Sequence, residues 1–553
     1  MENWIKRDSK LTSKEKNIIQ YYAKQLSLDP FIIQLLFLKG IKNFIDINRY
    51  LSCDPSYLIG PYYIRDMDMA VKRIFQAIER DELIGIFGDY DVDGMTSTSI
   101  LYKGLKVLGA NVEFLLPKRS DGYGLSVEAV NRFAAKDTAL IVTVDNGSSA
   151  HEAVRRAKQI GMDVIVTDHH EILKGHPPSL AFINPMRSDE RTPFKSLAGC
   201  GVAFKLVHAL LREKGIWDMH IWNFVELAAL GTVADMMPLT EENRVIVQLG
   251  IEKMNAGPSK PIKVLKRLLG IEHVNSQTIS FSFAPILNSL GRLSDPNFAV
   301  RLFTSDFNEQ MLEEHWNKLI RLNDVRKKMV TAQVRQAEEY IQTNNLYEQK
   351  VITVIGSYTD GLVGILAARI AERYKKPAIV LTENGKGSAR SVNGSTFSIA
   401  NTIERCAEHL VSYGGHRAAA GLTVSIDCYS QFCSDIQKYA ALEPAINVQY
   451  VYEMEYSLFD FPVDLYQDLL SLEPFGEGNP LPLFKSKKLN INKLTHFGMN
   501  EEHVKFHFGR RNALLFFRGL EVKSFGQSSN FQCLYSPSLN SENDFIIKDY
   551  FTG

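Results

Sequence analysis

The sequence has few cysteines, no long apolar run and no excess of charge, and each of these deficits excludes a class of protein. Its six cysteines are scattered and form no Cys-x-x-Cys pair, so a zinc ribbon is not expected and a reducing compartment is the simplest setting. The most apolar stretch, "FVELAALGTVADMMPL", contains Glu226 and Asp235 and is too short to span a bilayer. The polar start "MENWIKRDSKLTSKEK" lacks the apolar core of a signal peptide. We therefore expect a cytoplasmic protein with no membrane partner.

Basic and acidic side chains balance at 63 each, so any surface that binds nucleic acid must be local. Two enzyme motifs are also missing. The sequence has no GxxxxGK[ST] stretch for a phosphate-binding loop, and "HEILK" is not a zinc motif because Lys174 replaces the second histidine of HExxH. The 553 residues, 45% of them apolar, are typical of a soluble protein with about two to four domains.

From Leu83 onward, short β-rich runs alternate with helical stretches, which is typical of βαβ units and a mostly parallel sheet. The runs of the first block are "LIGIF", "NVEFLL", "LIVTV", "VIVT" and "AFIN". We predict a helical segment over residues 1–80, an α/β domain over 81–307, a long helix without proline or glycine over 308–345, a smaller α/β domain over 346–448 and a β-rich domain over 449–553.

Acidic and histidine residues follow three separate strands of the first block. "LIGIF" is followed by Asp89, Asp91 and Asp93, "LIVTV" by Asp145, and "VIVT" by Asp168, His169 and His170, while Asp235 follows a helical run. Because the carboxyl ends of parallel strands meet at one edge of a sheet, we expect these side chains to converge. The first group is not a calcium loop of the EF-hand type, since its twelfth position is Ile100 instead of glutamate.

Carboxylates with a few imidazoles favour Mn²⁺ or Mg²⁺, whereas thiolates would indicate zinc or iron–sulfur. The carboxylates outnumber the needs of one ion, and they repel one another unless cations neutralise them. Two ions about 3.5–4 Å apart are the usual device for hydrolysing phosphate esters. Taken singly, an aspartate such as Asp145 is more often a helix N-cap, and a histidine pair could be a turn or part of the core. The joint pattern at three strand ends favours a two-metal site.

The motifs "DYDVDG", "TVDNG", "TDHHE" and "GTVADMMPL" resemble, in order, those of the DHH family of phosphoesterases, named for Asp168-His169-His170. Further stretches, among them "LPKRSDGYGLS", "INP", "APILNSLGRL", "KGSARS", "GGHRAAAG" and "EPFGEGNPLPLF", resemble the single-stranded-DNA-specific exonucleases within that family. The resemblance covers roughly residues 35 to 520. It implies an α/β fold with a parallel-sheet DHH domain, a smaller α/β DHHA1 domain joined to it by the long helix, and a β-rich OB-like domain. It also implies a two-metal enzyme that removes mononucleotides from the 5′ end of single-stranded DNA in repair and recombination.

The resemblance also implies residue roles, cofactors and partners. The implied metal ligands, or residues close to them, are Asp89, Asp91, Asp93, Asp145, His169 and Asp235. His170 would contact the scissile phosphate or orient the attacking water, and Asp168 would brace the site from behind the metal ligands. The implied substrate-binding residues are Arg119 and Arg292 in the first α/β domain and Ser388, Arg390, Gly415 and His416 in the second. The implied cofactors are two Mn²⁺ or Mg²⁺ ions. The implied partners are single-stranded DNA and either a single-strand-binding protein or a RecQ-type helicase.

The β-rich region combines basic and aromatic residues. Nine Lys or Arg lie between Lys485 and Lys523, interleaved with Phe506, Phe508, Phe516 and Phe517. A positive groove with aromatic platforms is how OB-like folds bind single strands without reading sequence. Packing in the core of a strand is the other interpretation of the phenylalanines, and Phe517 in particular is expected to be core.

The sequence departs from the family at "SYTDGLVG", where Tyr358 and Thr359 replace the usual Trp-His pair, so we expect no functional histidine there. Two other functions stay open. A DHH phosphodiesterase acting on short oligonucleotides or cyclic dinucleotides would share the metal motifs but lack the long helix and the OB-like region. A non-catalytic scaffold would be expected to lack some of the aspartates, whereas every metal-motif position is filled here.

Overall fold

The computed structural model describes residues 3–7, 10–172, 175–491, 493–498, 501–522 and 531–552. Contacts between Cα atoms divide the chain into two units, each built from separate stretches of sequence. Unit I comprises Ile32–Asn323 and Leu469–Pro480, and unit II comprises Met1–Phe31, Asp324–Asp468 and Leu481–Gly553. Lys523, the last of the basic residues counted above, lies outside the described residues.

The α-helices are α1 (Ser13–Leu26), α2 (Pro30–Leu38), α3 (Phe44–Leu51), α4 (Met67–Glu79), α5 (Val92–Val107), α6 (Val127–Ala134), α7 (His151–Gln159), α8 (Gly199–Glu213), α9 (Trp217–His220), α10 (Val225–Ala234), α11 (Glu241–Ala256), α12 (Lys260–Leu269), α13 (Ser276–Thr278), α14 (Ala284–Leu293), α15 (Asn297–Thr304), α16 (Glu309–Thr343), α17 (Val363–Tyr374), α18 (Ile399–Glu404), α19 (Tyr429–Ala440), α20 (Val463–Leu470) and α21 (Gly519–Val522). The strands are β1 (Trp4–Lys6), β2 (Leu83–Phe87), β3 (Val112–Leu115), β4 (Thr138–Val144), β5 (Asp163–Thr167), β6 (Ala181–Ile183), β7 (Ile352–Gly356), β8 (Ala378–Thr382), β9 (Lys386–Arg390), β10 (Leu410–His416), β11 (Ala419–Val424), β12 (Tyr450–Tyr452), β13 (Met454–Glu455), β14 (Phe484–Lys485), β15 (Lys493–Phe497), β16 (His503–Phe508), β17 (Arg511–Leu515), β18 (Phe531–Ser538) and β19 (Ser541–Thr552).

Unit I contains the predicted parallel sheet, with strand order β3-β2-β4-β5-β6 and every neighbouring pair parallel. Its strands read as continuous apolar runs because both faces are covered. Helices α4, α5 and α8 pack on one face and α6 and α7 on the other. The chain adds β3 on one side of β2 and β4 on the other, so the order reverses beside β2. Open α/β sheets bind their ligands in the crevice at such a reversal.

Unit II contains two larger sheets. Strands β7 to β11 form a mixed sheet of order β10-β11-β9-β8-β7, in which only β7 and β8 run parallel. A seven-stranded sheet of order β13-β14-β18-β19-β17-β16-β15 confirms the β-rich prediction for the C-terminal region. Strands β1 and β12 form a small parallel pair.

The seven-stranded sheet corrects the prediction for the aromatic residues. Phe506 and Phe508 are buried, because alternate side chains of β16 point into the core of the domain. Their interpretation as base platforms is therefore wrong. Phe516 and Phe517 are exposed, so the expectation that Phe517 belongs to the core is also wrong.

The apolar stretch before Asp235 forms α10, which is ten residues long and buried in unit I. Across the described part of the chain, no helix combines the length and the apolarity that crossing a membrane requires.

Candidate metal centre and phosphate-binding residues

Four predicted site residues lie at the carboxyl edge of the parallel sheet. Asp89 follows β2, Asp145 follows β4 directly, Asp168 follows β5 directly, and Asp235 ends α10. The first three are buried, with at most 4% of the residue exposed. Asp145 has a φ of 62°, a left-handed conformation uncommon for a residue with a side chain. The strand order therefore brings the predicted carboxylates to the reversal beside β2.

Two further carboxylates are fixed by the ends of helices. Asp91 is the N-cap of α5 and accepts a hydrogen bond from the Gly94 N–H at 3.1 Å. Asp93 accepts hydrogen bonds from the Gly199 N–H at 2.7 Å and the Cys200 N–H at 2.8 Å, at the positive N-terminus of α8. The N-cap interpretation therefore describes Asp91, which remains a candidate ligand through its second oxygen. Among the described residues Asp145 makes no such cap, since the helix that follows it is capped at Ala150.

His169 lies at the centre of the carboxylates, with its side chain 8% exposed. Its Nε2 is 3.1 Å from Asp145 Oδ1, 3.8 Å from Asp93 Oδ2 and 3.7 Å from Asp235 Oδ2. Three overlapping groups of possible ligand atoms each lie within 4.8 Å of one another: Asp89–Asp91–Asp145, Asp93–His169–Asp235 and Asp145–His169–His170. The first two groups share no residue and are bridged by the third. This arrangement suits two neighbouring cations.

The electrostatics of the centre fit a site for divalent cations. Burial and the neighbouring carboxylates raise the pKa of Asp89, Asp145 and Asp235, in the last case to about 8. Asp89 Oδ1, Asp145 Oδ1 and His169 Nε2 are buried and have no hydrogen-bond partner among the described residues. Buried polar atoms normally have partners, and close carboxylates need a positive charge between them. Oxygen and imidazole donors are those that Mn²⁺ and Mg²⁺ accept.

His170 is held by Asp168. The His170 Nδ1 is 2.8 Å from Asp168 Oδ1, and the same carboxylate accepts hydrogen bonds from the N–H groups of Ser148 at 2.9 Å and His169 at 2.8 Å. Burial acts to lower the pKa of His170, but the Asp168 carboxylate outweighs it and raises that pKa to about 9. Through these hydrogen bonds Asp168 holds the His170 ring and the backbone around it; the bracing role that the family resemblance implies stays a prediction.

Two residues that the sequence did not single out also contact this histidine. The Tyr123 hydroxyl is 3.0 Å from His170 Nδ1, and Asn184 Nδ2 donates to the His170 carbonyl at 3.0 Å and to Ser148 Oγ at 2.9 Å. Tyr123 lies in "KRSDGYG" and Asn184 in "INP". Both stretches resemble the family, but the resemblance gave no role to either residue. Nothing in their spacing indicated a contact with His170.

The two predicted arginines of unit I meet around Tyr90. The Arg119 guanidinium lies 4.4 Å from the centre of the Tyr90 ring, and both Arg119 and Arg292 act electrostatically on Tyr90. Gly291 packs against Tyr90 so closely that a Cβ there would lie 1.9 Å from the Tyr90 carbonyl oxygen. Since Tyr90 follows Asp89 in the chain, both guanidinium groups belong to the surroundings of the metal centre.

Three of the predicted phosphate-binding residues of unit II share one face of the mixed sheet: Ser388, Arg390 and His416. Arg390 on β9 pairs in register with Ala419 on β11, which pairs with His416 on β10. Arg390 Nη1 donates to Ser388 Oγ at 2.8 Å, and burial lowers the pKa of Arg390. No carboxylate among the described residues forms an ion pair with Arg390. Gly415 has a φ of 155°, and a Cβ there would lie 2.4 Å from the Ala419 carbonyl oxygen.

The departure from the family pattern is also in unit II. Tyr358 is buried in the core beside α17. Thr359 exchanges two hydrogen bonds with Gln333 of α16, one from its N–H at 3.2 Å and one to its Oγ1 at 2.9 Å. Thr359 is therefore hydrogen-bonded to the long helix α16 through the side-chain amide of Gln333.

Comparison with known proteins gives matches along most of the chain. Residues 83–232 match the model of the DHH family N-terminal domain, 348–442 that of the DHHA1 domain and 452–545 that of the RecJ OB domain. The single-stranded-DNA-specific exonuclease RecJ of Bacillus subtilis is 35% identical over 503 residues, or 89% of this chain and 63% of that protein. The Salmonella typhimurium protein of the same name is 34% identical over 512 residues, with 86% of each chain covered. This chain thus spans less than two thirds of the Bacillus relative.

A solved structure shares the fold. The crystal structure of RecJ from Thermus thermophilus in complex with Mn²⁺ superposes with a TM-score of 0.83 at 26% identity, covering 100% of this chain and 80% of that one. The parallel sheet, the second α/β domain and the β-rich domain therefore recur together in a metal-bound relative. The likeness agrees with the fit of the carboxylate and histidine cluster to divalent cations.

Proposed function

Because the chain belongs to the RecJ family of single-stranded-DNA-specific exonucleases, we propose that it hydrolyses single-stranded DNA from the 5′ end to mononucleotides, in DNA repair and recombination. The observation that carries this proposal is the pair of ligand groups, Asp89–Asp91–Asp145 and Asp93–His169–Asp235, beside the strand reversal. Two neighbouring groups of carboxylate and imidazole ligands could hold the two cations that hydrolysis of a phosphodiester calls for.

Different residues of the chain would bind the metal ions, contact the scissile phosphate and position the contacting side chain. When bound, two Mn²⁺ or Mg²⁺ ions would supply Lewis acidity and a reactive water, and would stabilise the attacking and leaving oxygens. The six proposed ligands would hold the ions, with Asp93 kept in place by the first N–H groups of α8. His170, held through Nδ1 by Asp168, would contact the scissile phosphate through Nε2. Asp168 itself acts through His170.

Positive side chains would hold the remaining phosphates. Arg119 lies over the Tyr90 ring, and Arg292 follows Gly291, which packs against the Tyr90 carbonyl oxygen. In unit II, Ser388, Arg390 and His416 would hold a phosphate over the small residues of β11. The support for Arg390 is that it is half-buried and has no ion-pair partner in the described chain, since a partly desolvated guanidinium without a counter-charge gains from an added anion.

The β-rich domain would hold the incoming strand. Phe497, Phe516 and Phe517 are exposed, and their rings surround His503 at centroid distances of 5.0, 5.2 and 4.6 Å. The Arg369 guanidinium of α17 lies 4.2 Å from the centre of the Phe517 ring. Exposed rings beside a guanidinium bind single strands by base stacking and charge.

Several finer expectations remain proposals that rest mainly on the family resemblance. We retain the segments 1–80, 81–307, 308–345, 346–448 and 449–553 as helical segment, DHH domain, connecting helix, DHHA1 domain and OB-like domain. We also propose that a single-strand-binding protein or a RecQ-type helicase supplies the single strand. The proposed location is the cytoplasm, which agrees with the six free cysteines.

The test uses purified protein, Mn²⁺ and one single-stranded oligomer labelled at the 5′ end in one tube and at the 3′ end in another. The expected result is immediate release of a labelled mononucleotide from the 5′ label and a shortening ladder from the 3′ label. The converse pattern would overturn the direction. An intact oligomer combined with hydrolysis of dinucleotides or cyclic dinucleotides would overturn the exonuclease and establish the small-substrate phosphodiesterase.

A further inference from the structure

We propose that Tyr123 is a positioning residue, whose hydroxyl fixes the ring of His170 and the backbone of Asp145 for attack on the phosphate. The proposal rests on the proposed function, since it concerns the same centre. It adds a residue for which neither the motifs nor the comparisons give a role.

The contacts of the hydroxyl carry the proposal. The Tyr123 oxygen is 3.0 Å from Nδ1 and 3.3 Å from Nε2 of His170, and its O–H donates to the Asp145 carbonyl oxygen at 3.3 Å. The rings of Tyr123 and His170 meet edge to face, with centroids 5.5 Å apart and an interplanar angle of 72°. One hydroxyl therefore touches the proposed phosphate-contacting side chain and the backbone of a proposed metal ligand.

His170 Nδ1 is within hydrogen-bond distance of two oxygens, Asp168 Oδ1 at 2.8 Å and the Tyr123 hydroxyl at 3.0 Å, so a hydrogen on Nδ1 can be shared between them. Shared hydrogens of this kind are common. With Asp168 and the Tyr123 hydroxyl both against the ring nitrogens, rotation of the His170 ring is restrained. The hydroxyl's own hydrogen goes to the Asp145 carbonyl, where it supports a backbone with a left-handed φ of 62°.

The loop that carries Tyr123 explains why the hydroxyl matters more than the packing of the ring. Tyr123 is 49% exposed, and it stands between Gly122 and Gly124, which have φ values of 94° and 79° and no atom within 4 Å of an added Cβ. Half of the residue is open to solvent, so the polar contacts at its tip contribute much of what holds it in place. The same loop carries Arg119, which stacks on Tyr90. Binding of a phosphate by Arg119 and orientation of His170 thus depend on one short segment.

The first test measures single-turnover cleavage of a 5′-labelled oligomer with Mn²⁺ for Tyr123→Phe and Tyr123→Leu, with Tyr102→Phe as control. Tyr102 lies on α5 and packs on Phe114 at 5.5 Å, away from the ligand cluster. Loss of the hydroxyl should slow the chemical step about 10-fold, the size expected for one hydrogen bond in such a network. Tyr123→Phe and Tyr123→Leu should be equally slow, and affinities for the oligomer and for Mn²⁺ should stay unchanged. Wild-type rates in Tyr123→Phe, with a loss only in Tyr123→Leu, would show a packing role and overturn the proposal.

The second test asks whether Tyr123 acts through His170. In a His170→Ala background, Tyr123→Phe should slow cleavage by less than about twofold, because partners that act as a unit are non-additive. A further tenfold loss would show independent action and overturn the proposal. A crystal structure of Tyr123→Phe supplies a readout that needs no substrate: the His170 ring should be rotated or split between two positions. If the wild-type protein cleaves no single-stranded DNA, the proposed function fails, whereas the orientation of His170 in this structure still decides the role of Tyr123.

Discussion

Replacing Gly199 by alanine should disable the metal centre without introducing any polar group. A Cβ at Gly199 would lie 2.5 Å from both Cβ and Oδ1 of Asp145, whereas carbon atoms in contact are about 3.5–4.0 Å apart. One of the two residues must therefore move by about 1 Å. The Gly199 N–H also holds Asp93 Oδ2 at 2.7 Å, so the displacement reaches a second proposed ligand.

The expected losses of stability and of cleavage rate in Gly199→Ala follow from how rigid the surroundings of Gly199 are. Asp145 and Gly199 are both buried, and overpacking such a site costs about 1–3 kcal/mol of stability. A displacement of about 1 Å in a catalytic group costs about 10²-fold in rate. We expect Gly199→Ala to keep its fold, to bind Mn²⁺ more weakly and to lose about 10²-fold in the single-turnover rate.

Gly201→Ala is the matched control, because it lies two residues further along the same helix and the atom nearest to an added Cβ belongs to the Leu197 side chain, at 3.2 Å. It should keep Mn²⁺ affinity and rate near wild type. Isothermal titration with Mn²⁺ and the labelled-oligomer assay measure both variants. If Gly199→Ala kept the wild-type Mn²⁺ affinity and cleavage rate, the close approach of α8 to Asp145 would not be needed to position the metal ligands, and this prediction would be wrong.

The remaining predictions concern a ligand, a phosphate contact and a buried acid. Asp145→Ala should abolish cleavage and leave binding of single-stranded DNA intact in a gel-shift assay; a wild-type rate would contradict the ligand assignment. Arg390→Ala should raise KM for a 5′-phosphorylated oligomer about 10-fold or more, while Arg335→Ala, whose side chain is 81% exposed on α16, should leave it unchanged; equal KM values would remove Arg390 from the site. Burial raises the pKa of Glu473 to about 7, above its unfolded value, so this residue favours the folded state at low pH and that contribution is lost as pH rises from about 4.5 through 7. The unfolding free energy of Glu473→Gln minus that of wild type should therefore be up to about 3 kcal/mol larger at pH 8 than at pH 4, when measured by urea unfolding. The exposed Glu477→Gln should show no such change. A difference for Glu473→Gln that does not vary with pH would contradict the raised pKa of Glu473.

The part of the site that rests on strands could be predicted from the sequence. A short apolar run followed by Asp89, Asp145 or Asp168 places the carboxylate at the carboxyl edge of a parallel sheet, because strand direction fixes which edge it reaches. The order of the strands in the sheet was not needed to place each carboxylate at this edge. The strand order does decide that Asp89 and Asp145 lie on neighbouring strands, beside the point at β2 where the order reverses, and the sequence does not specify that order.

The contacts made by other elements could not be predicted. The N-terminus of α8 holds Asp93, but "AGCGVAF" carries no sign of which carboxylate it meets. Tyr123 and Asn184 contact His170 from loops whose paths depend on tertiary packing.

The errors at Phe506 and Phe508 have a different cause. Apolar and polar residues alternate in "VKFHF", which indicates a half-buried strand. The basic residues nearby instead favoured the interpretation of these phenylalanines as platforms for base stacking. The exposed Phe516 and Phe517 lie just beyond the end of β17, where the strand's alternation no longer applies.

The two-cation centre is tested most directly by anomalous X-ray diffraction from crystals of the protein soaked in Mn²⁺. We expect two peaks about 3.5–4 Å apart, one bound by Asp89 and Asp91 and the other by Asp93, His169 and Asp235, with Asp145 between them. A single peak, or peaks bound by other residues, would contradict it.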